Sequence, residues 1–231
     1  MIEPRNKHLV VEGADDKHAI IHLMKAQGIT WGEKRPEWPV TLHDAKGVEN
    51  ILDPDKMEAL LAIPGAAIIG FVVDADSDFE SRWRKLRGAC LTRHPQLPES
   101  FPAAGLVTEN ERGQRLGIWI MPDNANKGML ETFLHYLVPG DDNVWPMAQQ
   151  AAAKAKENGA PFLPKHAVKA DIHTWLAWQD PPGQSFGLAL TKNALDPASP
   201  TAQPFVAWFC DLFQITVPVP MTAAVESLAA V

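Results

Sequence analysis

Two acidic clusters, each directly after a short apolar run, contain the residues of this sequence best suited to carry chemistry. Glu12 and Asp16 follow the run Leu-Val-Val, and Asp74 and Asp76 follow the apolar residues 67–73. Both runs are typical of buried parallel strands. Because ligands of open α/β sheets bind outside the carboxyl ends of strands, adjacent strands would bring these acids together. Carboxylates in one place repel one another unless protons or cations intervene, and their oxygens suit Mg2+ or Mn2+.

Each residue of the two clusters has an expected role. Asp74 and Asp76 would hold one ion, because alternate residues at a strand end share a face. Glu12 and Asp16 would hold a second ion, or Glu12 would act as a general acid or base. Gly13 is a candidate for phosphate binding, because a glycine lets the backbone approach closely. Helix capping by the acids is the alternative explanation.

A basic segment, residues 79–94, directly follows the second acidic cluster. It contains a single acid and the basic residues Arg82, Arg84, Lys85, Arg87 and Arg93. Arg82 and Lys85 are the candidates for binding phosphate or nucleic acid, and a solvated helix face is the alternative. The formal net charge of −7 is unfavourable for a protein that coats nucleic acid, because such binding depends on neutralising phosphates.

The composition of the whole chain limits its class. The 231 residues, 46% of them hydrophobic, suffice for one sizeable core. No run of about 18 consecutive apolar residues indicates a membrane span, and the N-terminus lacks a secretory leader pattern. Cys90 and Cys210 lie far apart, so no structural zinc site is expected. We therefore predict a protein of the reducing cytoplasm.

The alternation of apolar patterns predicts an α/β domain over residues 1–140, with a mostly parallel sheet and right-handed crossovers. Predicted strands cover residues 8–12, 40–43 and 67–73, followed by a hairpin of 105–109 and 116–121. Predicted helices cover residues 15–27, 47–62 with an irregularity at Pro54, 77–93 and 129–138. Residues 141–231 are predicted to form a helical extension packed on the sheet. Its main segments are 146–158, 164–178, 186–190 and 204–213, followed by a low-charge tail from Pro218.

The two acidic motifs together resemble the Toprim domain of topoisomerases, DnaG-type primases, RecR and the overcoming-lysogenization-defect (OLD) nucleases. That family carries Glu-Gly at the end of its first strand, matched by Glu12 and Gly13, and Asp-x-Asp at the end of its third, matched by Asp74 and Asp76. The order of strands and helices matches as well, over residues 6–137. Segments within residues 117–134 look like small uncharacterised bacterial Toprim-like proteins.

The resemblance to the OLD-type branch implies further site residues. Asp16 matches the acid that follows the first Glu by four residues, and Glu131 is a candidate for a downstream metal-binding acid. Lys169, or Lys165, could be the late catalytic lysine of that pattern. A pairing of Glu131 with His135 on an exposed helix face is the alternative.

The function implied by the resemblance is Mg2+- or Mn2+-dependent hydrolysis or transfer of phosphodiesters in nucleic acid, with DNA and RNA both open as substrates. The fold implied is Toprim-like, with a Rossmann-like central sheet flanked by helices. A nucleophilic tyrosine domain, zinc modules and a phosphate-binding Gly-rich loop are not found in the sequence, so a stand-alone Toprim domain is predicted.

Two other functions remain open from the sequence. The chain could be a non-catalytic binding or regulatory module that acts with a protein partner. It could also be a haloacid-dehalogenase-type phosphatase, whose Asp-x-Asp motif supplies the nucleophile, here Asp74. The leading hypothesis requires Glu12 and Asp74 to lie within about 12 Å of each other, since a two-cation cluster cannot span more.

Overall fold

A five-stranded sheet forms the centre of the structure, a computed structural model that describes residues 2–34 and 37–216. Its strands are β1 (Lys7–Val11), β2 (Thr41–Asp44), β3 (Ile68–Asp74), β4 (Leu106–Glu109) and β5 (Arg115–Met121). They lie in the order β2-β1-β3-β5-β4. All neighbours are parallel except β4, which runs antiparallel to β5. The predicted α/β class with a mostly parallel sheet is confirmed.

Helices flank the sheet at the places where the sequence alternates between strand and helix patterns. In the first part of the chain they are α1 (Ala14–Ala26), α2 (Glu49–Leu52), α3 (Pro54–Leu61), α4 (Phe79–Cys90) and α5 (Leu130–His135). In the second part they are α6 (Trp145–Glu157), α7 (Ala167–Ala177), α8 (Phe186–Thr191) and α9 (Gln203–Phe213). A short 3-10 turn, Pro164–His166, precedes α7. Residues 217–231, which include the predicted low-charge tail, lie outside the described residues.

The single helix predicted over residues 47–62 is two helices in the structure. Asp53 lies between them in an extended conformation, with ψ at 121°, because the residue before a proline is disfavoured in the helical region. Its carboxylate accepts the backbone N–H groups of Asp55 and Lys56, each at 3.0 Å. Pro54 then begins α3 at a position that needs no intrahelical donor. The irregularity predicted at Pro54 is therefore a complete break.

The two faces of the sheet carry separate apolar cores. Alternate residues of β3 divide between them: Ile68 and Val72 belong to one core, and Ile69, Phe71 and Val73 to the other. The first core contains residues of α1 and of α5 to α9, and the second contains residues of α2 to α4. Because the inner strands are covered on both faces, they appear in the sequence as continuous apolar runs.

The last described helix, α9, packs into a space left by two glycines. Gly70 and Gly117 face each other in register on β3 and β5. A Cβ at Gly117 would lie 2.3 Å from a methyl carbon of Leu212, and one at Gly70 would lie 2.8 Å from the same carbon. At the end of α9, the carbonyl of Phe213 accepts a 2.6 Å hydrogen bond from Nζ of Lys7 on β1.

None of the described helices has both the length and the apolar character needed to cross a membrane. Cys90 is a buried free cysteine, and Cys210 is half-buried and also free. Burial raises the pKa of the Cys90 thiol to about 12, so this thiol is packed as an apolar group.

Candidate metal centre

The ends of β1 and β3 bring Glu12 and Asp74 into contact. The two strands are parallel neighbours, with Val11 opposite Val72. The backbone N–H of Asp74 donates a 2.7 Å hydrogen bond to Oε1 of Glu12. The carboxyl group of Asp74 in turn accepts the N–H of Leu130, at the start of α5, at 2.9 Å. The acids that end the two strands therefore line one edge of the sheet, as predicted for adjacent strands.

Asp16 lies beside these two acids, in the first turn of α1. Only 8% of Asp16 is exposed. Its Oδ2 accepts the N–H of Gly13 at 3.1 Å, so the acid closes the start of its own helix. Its Oδ1 is buried and has no hydrogen-bond partner among the described residues. A buried carboxylate oxygen of this kind is costly unless a proton or a cation satisfies it.

Burial and mutual repulsion change the ionisation of the three acids. Burial raises the pKa of Asp16 to about 7, with the charge of Glu12 adding to the effect. The pKa of Glu12 is also raised to about 7 by burial, although its bond from the N–H of Asp74 opposes the rise. Asp74 is partly exposed as a residue, but desolvation of its carboxyl and the charge of Glu12 raise its pKa well above the ordinary value. The three acids therefore favour a bound proton, or a cation in its place, over the fully ionised state.

Asp76, the second acid of the Asp-x-Asp motif, differs from the other three in having a protein cation as its partner. Its backbone is in the left-handed region, with φ at 55°. Its N–H and carbonyl form an isolated bridge with Gly128, at 2.8 and 2.9 Å. Its carboxylate forms an ion pair with Arg82 of α4.

The two basic residues predicted to bind phosphate differ in their surroundings. Arg82 is 8% exposed and directs its guanidinium to Asp76, so it acts in this structure as the partner of a predicted ligand. Lys85 is exposed on the same helix and is not among the residues that line the acidic cleft. Neither of these two predicted phosphate contacts lines the acidic cleft.

Glu131 and Lys169 form a second ion pair across α5 and α7. Nζ of Lys169 lies 2.7 Å from Oε1 of Glu131, whose side chain is only 4% exposed. Although burial opposes the charged form of Lys169, the hydrogen bond and charge of Glu131 raise its pKa. The alternative pairing of Glu131 with His135 on an exposed face is wrong, because α7 covers Glu131 and His135 stacks on Trp145 at 4.6 Å instead.

These acids share one open cleft of about 530 Å³. Its lining includes the predicted residues Glu12, Gly13, Asp16, Asp74, Asp76, Glu131 and Lys169. Lys165, the alternative for the late lysine, is exposed and does not line it. His166 and Gly47 line the cleft but were not singled out in the sequence. The signal available for His166 was its place three residues before Lys169, which puts both on one helical face.

The donor set of the cleft fits a hard divalent cation. The groups that line it offer carboxylate oxygens, and no thiolate lies among them. The partnerless Oδ1 of Asp16 and the raised pKa values of three neighbouring acids point the same way. In the part of the chain that the structure describes, no three His, Cys, Asp or Glu side chains are already arranged as a coordination group. The residues therefore fit in chemistry, and the ion pairs on Asp76 and Glu131 limit how many of them are available.

Comparison with known protein families gives one match. Residues 6–214, most of the chain, match the family described as Protein of unknown function (DUF3226). Neither the comparison with curated proteins nor the comparison with solved structures gave a match. The chain belongs to the DUF3226 family.

Proposed function

We propose that this protein is a Toprim-like, divalent-metal-dependent enzyme that hydrolyses or transfers phosphodiesters in nucleic acid. One observation carries the proposal: Glu12, Asp16 and Asp74, from two neighbouring strand ends and one helix start, line a single cleft. No salt bridge involves any of the three among the described residues. Structural acids are normally paired or exposed, whereas metal-binding acids are gathered and left without a protein cation.

The arrangement of the sheet supports the Toprim-like assignment. Glu12 and Asp74 end adjacent parallel strands in the middle of the order β2-β1-β3-β5-β4. This is the edge at which open α/β sheets bind their ligands. The resemblance named above assigns the metal site of the Toprim family to the same two strand ends.

Glu12, Asp16 and Asp74 would hold Mg2+ or Mn2+. A bound ion of this class polarises a phosphoryl oxygen and stabilises the charge that develops on it. Alternatively, Glu12 would act as the general acid or base instead of a ligand, because a pKa of about 7 lets it exchange a proton near neutral pH. Lys169 presents a cation in the same cleft, where it would contact a phosphate oxygen.

A cleavage assay with a matched pair of variants tests the proposal. Single-stranded DNA, RNA and supercoiled plasmid are incubated with purified protein and Mg2+ or Mn2+. We expect cleavage of at least one of these substrates, and a loss of about 100-fold or more in Asp74→Asn, about 2.7 kcal/mol in barrier height. Asp55→Asn is the control, because Asp55 is an exposed acid of α3 outside the cleft. Equal activity in Asp74→Asn and wild type, or no cleavage of any substrate, would refute the proposal.

A non-catalytic binding module is the second candidate, and a specific observation favours it. Two of the five predicted metal-binding acids, Asp76 and Glu131, already have protein cations as partners. Mn2+ binding without cleavage of any nucleic acid would support this candidate. Hydrolysis of a generic phosphate monoester that disappears in Asp74→Asn would instead support the phosphatase alternative.

A further inference from the structure

The charges of the cleft divide into two groups. Asp76 is paired with Arg82, and Glu131 is paired with Lys169. Glu12, Asp16 and Asp74 share the cleft without such a partner among the described residues. Of the five predicted metal-binding acids, three therefore have no ion pair among the described residues. Asp15, an exposed acid at the start of α1, also lines the cleft.

Both ion pairs are expected to persist when an ion binds. Arg82 is 8% exposed, and the side chain of Glu131 is 4% exposed. Separating Arg82 from Asp76 would leave a buried guanidinium without a partner, which is strongly unfavourable. Separating Lys169 from Glu131 would deprive the buried carboxylate of its 2.7 Å contact with Nζ. The two hydrogen bonds between Asp76 and Gly128 also fix the backbone of Asp76.

We infer that this cleft takes one divalent cation and not two, and that Arg82 and Lys169 set this number by pairing with Asp76 and Glu131. The inference rests on the proposed function and defines its site more narrowly. A second ion that used Asp76 or Glu131 as a ligand would lie beside the guanidinium of Arg82 or the ammonium of Lys169, and like charges at short range repel.

Metal stoichiometry tests the inference without an activity assay. Isothermal titration with Mn2+ counts the bound ions, and electron paramagnetic resonance shows whether two Mn2+ ions lie close enough to couple. We expect wild type to bind one Mn2+ with no coupling. In Lys169→Met, which frees Glu131, we expect a second ion to bind at least about tenfold more tightly than in wild type, a change of about 1.4 kcal/mol.

Two further variants complete the experiment. Lys165→Met removes an exposed lysine near the start of α7 but outside the cleft, and should bind as wild type does. Arg82→Met frees Asp76 and should act as Lys169→Met does; circular dichroism verifies that each variant is folded. If the buried Arg82 cannot be replaced without unfolding, the half-exposed Lys169 still provides the test.

The outcomes separate this inference from the function on which it rests. One ion in wild type with a second ion in Lys169→Met supports the inference. Two coupled Mn2+ ions in wild type would overturn it and leave the proposed function intact. A single ion with unchanged affinity in a folded Lys169→Met would also overturn it. No binding at millimolar Mn2+ in wild type would remove the proposed function and the inference together.

Discussion

The backbone N–H of Asp74 donates to Oε1 of Glu12 across 2.7 Å, although the two residues are 62 positions apart in the sequence. The bond uses one oxygen of Glu12 and leaves its other oxygen for a different partner. It also depends on the register of β1 against β3, in which Val11 lies opposite Val72. A shift by one residue would move Glu12 to the other face of the sheet, so the acidic site is a direct product of strand pairing.

The free energy of unfolding should fall as the pH rises, because of Asp16. Its pKa is about 7 in the folded protein against an ordinary value of 3.8. Between these values the folded state keeps a proton that the unfolded chain releases, so stability is highest near pH 4 and is lost by about pH 7. We expect Asp16→Asn to be more stable than wild type at pH 8 by about 1–3 kcal/mol, and by much less at pH 5.

Urea unfolding at the two pH values, with a chelator present, measures this difference. Asp55→Asn is the control, since Asp55 is an exposed acid in the first turn of α3, outside the cleft. If Asp16→Asn were less stable than wild type by the same amount at both pH values, ionisation of the Asp16 carboxyl would not destabilise the folded protein.

Divalent ions should stabilise the fold in a pH-dependent way. A ligand that binds only the folded state adds about 2.7 kcal/mol when its concentration is a hundred times Kd. Because protons compete with the ion for Glu12 and Asp16, whose pKa values are about 7, Mg2+ should raise Tm more at pH 8 than at pH 5. Thermal melts of wild type, Asp74→Asn and Asp55→Asn check this. A shift of the same size in Asp74→Asn as in wild type would place the ion elsewhere.

Lys169 should matter for the reaction and Lys165 should not. Lys169 lines the cleft, whereas Lys165 is exposed outside it. For a substrate that wild type cleaves, we expect Lys169→Ala to lower kcat/KM by about tenfold or more, since a cation near a reacting phosphate stabilises its charge. Steady-state kinetics of Lys169→Ala and Lys165→Ala measure the difference. Equal values in the two variants would contradict a role for Lys169.

Gly117 should tolerate no side chain. A Cβ there would lie 2.3, 2.7 and 2.9 Å from carbons of Leu212. We expect Gly117→Ala to lower the free energy of unfolding by about 1–3 kcal/mol, the usual cost of overpacking. In the Gly117→Ala protein, the further change Leu212→Ala should cost less than the usual loss of about 2–5 kcal/mol for a buried leucine, because it also relieves the overlap. The matched control is Gly88→Ala in α4, because a Cβ there meets nothing within 4 Å. This control should be neutral or up to about 1 kcal/mol more stable.

Chemical denaturation of the four proteins provides the measurement. If Gly117→Ala and Gly88→Ala unfold at the same denaturant concentration, α9 does not pack on the sheet as tightly as the distances indicate.

The sequence predicted those parts of the fold that depend on local pattern. Continuous apolar runs predicted β3 and β5, because strands covered on both faces need no polar alternation. Pro54 predicted an irregularity, because a proline restricts the residue before it. The contact of Glu12 with Asp74 was a hypothesis only, since strand order is decided by packing between distant segments and not by either segment alone.

The partners of the site residues were less predictable. Asp76 pairs with Arg82 and has a left-handed backbone, and no local pattern in the sequence predicted either feature. The sequence around Glu131 is compatible with an exposed helix face. In the structure α7, from a later part of the chain, covers Glu131 and provides its partner Lys169. The sequence therefore identified candidate site residues, but their ion-pair partners could be seen only in the tertiary structure.

The hydrogen bond from Lys7 to the carbonyl of Phe213 joins positions 206 apart. During synthesis, the first strand leaves the ribosome long before the helix that accepts its lysine. Domains with many contacts between distant segments fold slowly, and their apolar surfaces stay open to other chains meanwhile. A nascent chain must therefore be translated as far as residue 213 before α9 can cover the sheet, and a chain that stops earlier would leave apolar surface of the sheet exposed to other proteins.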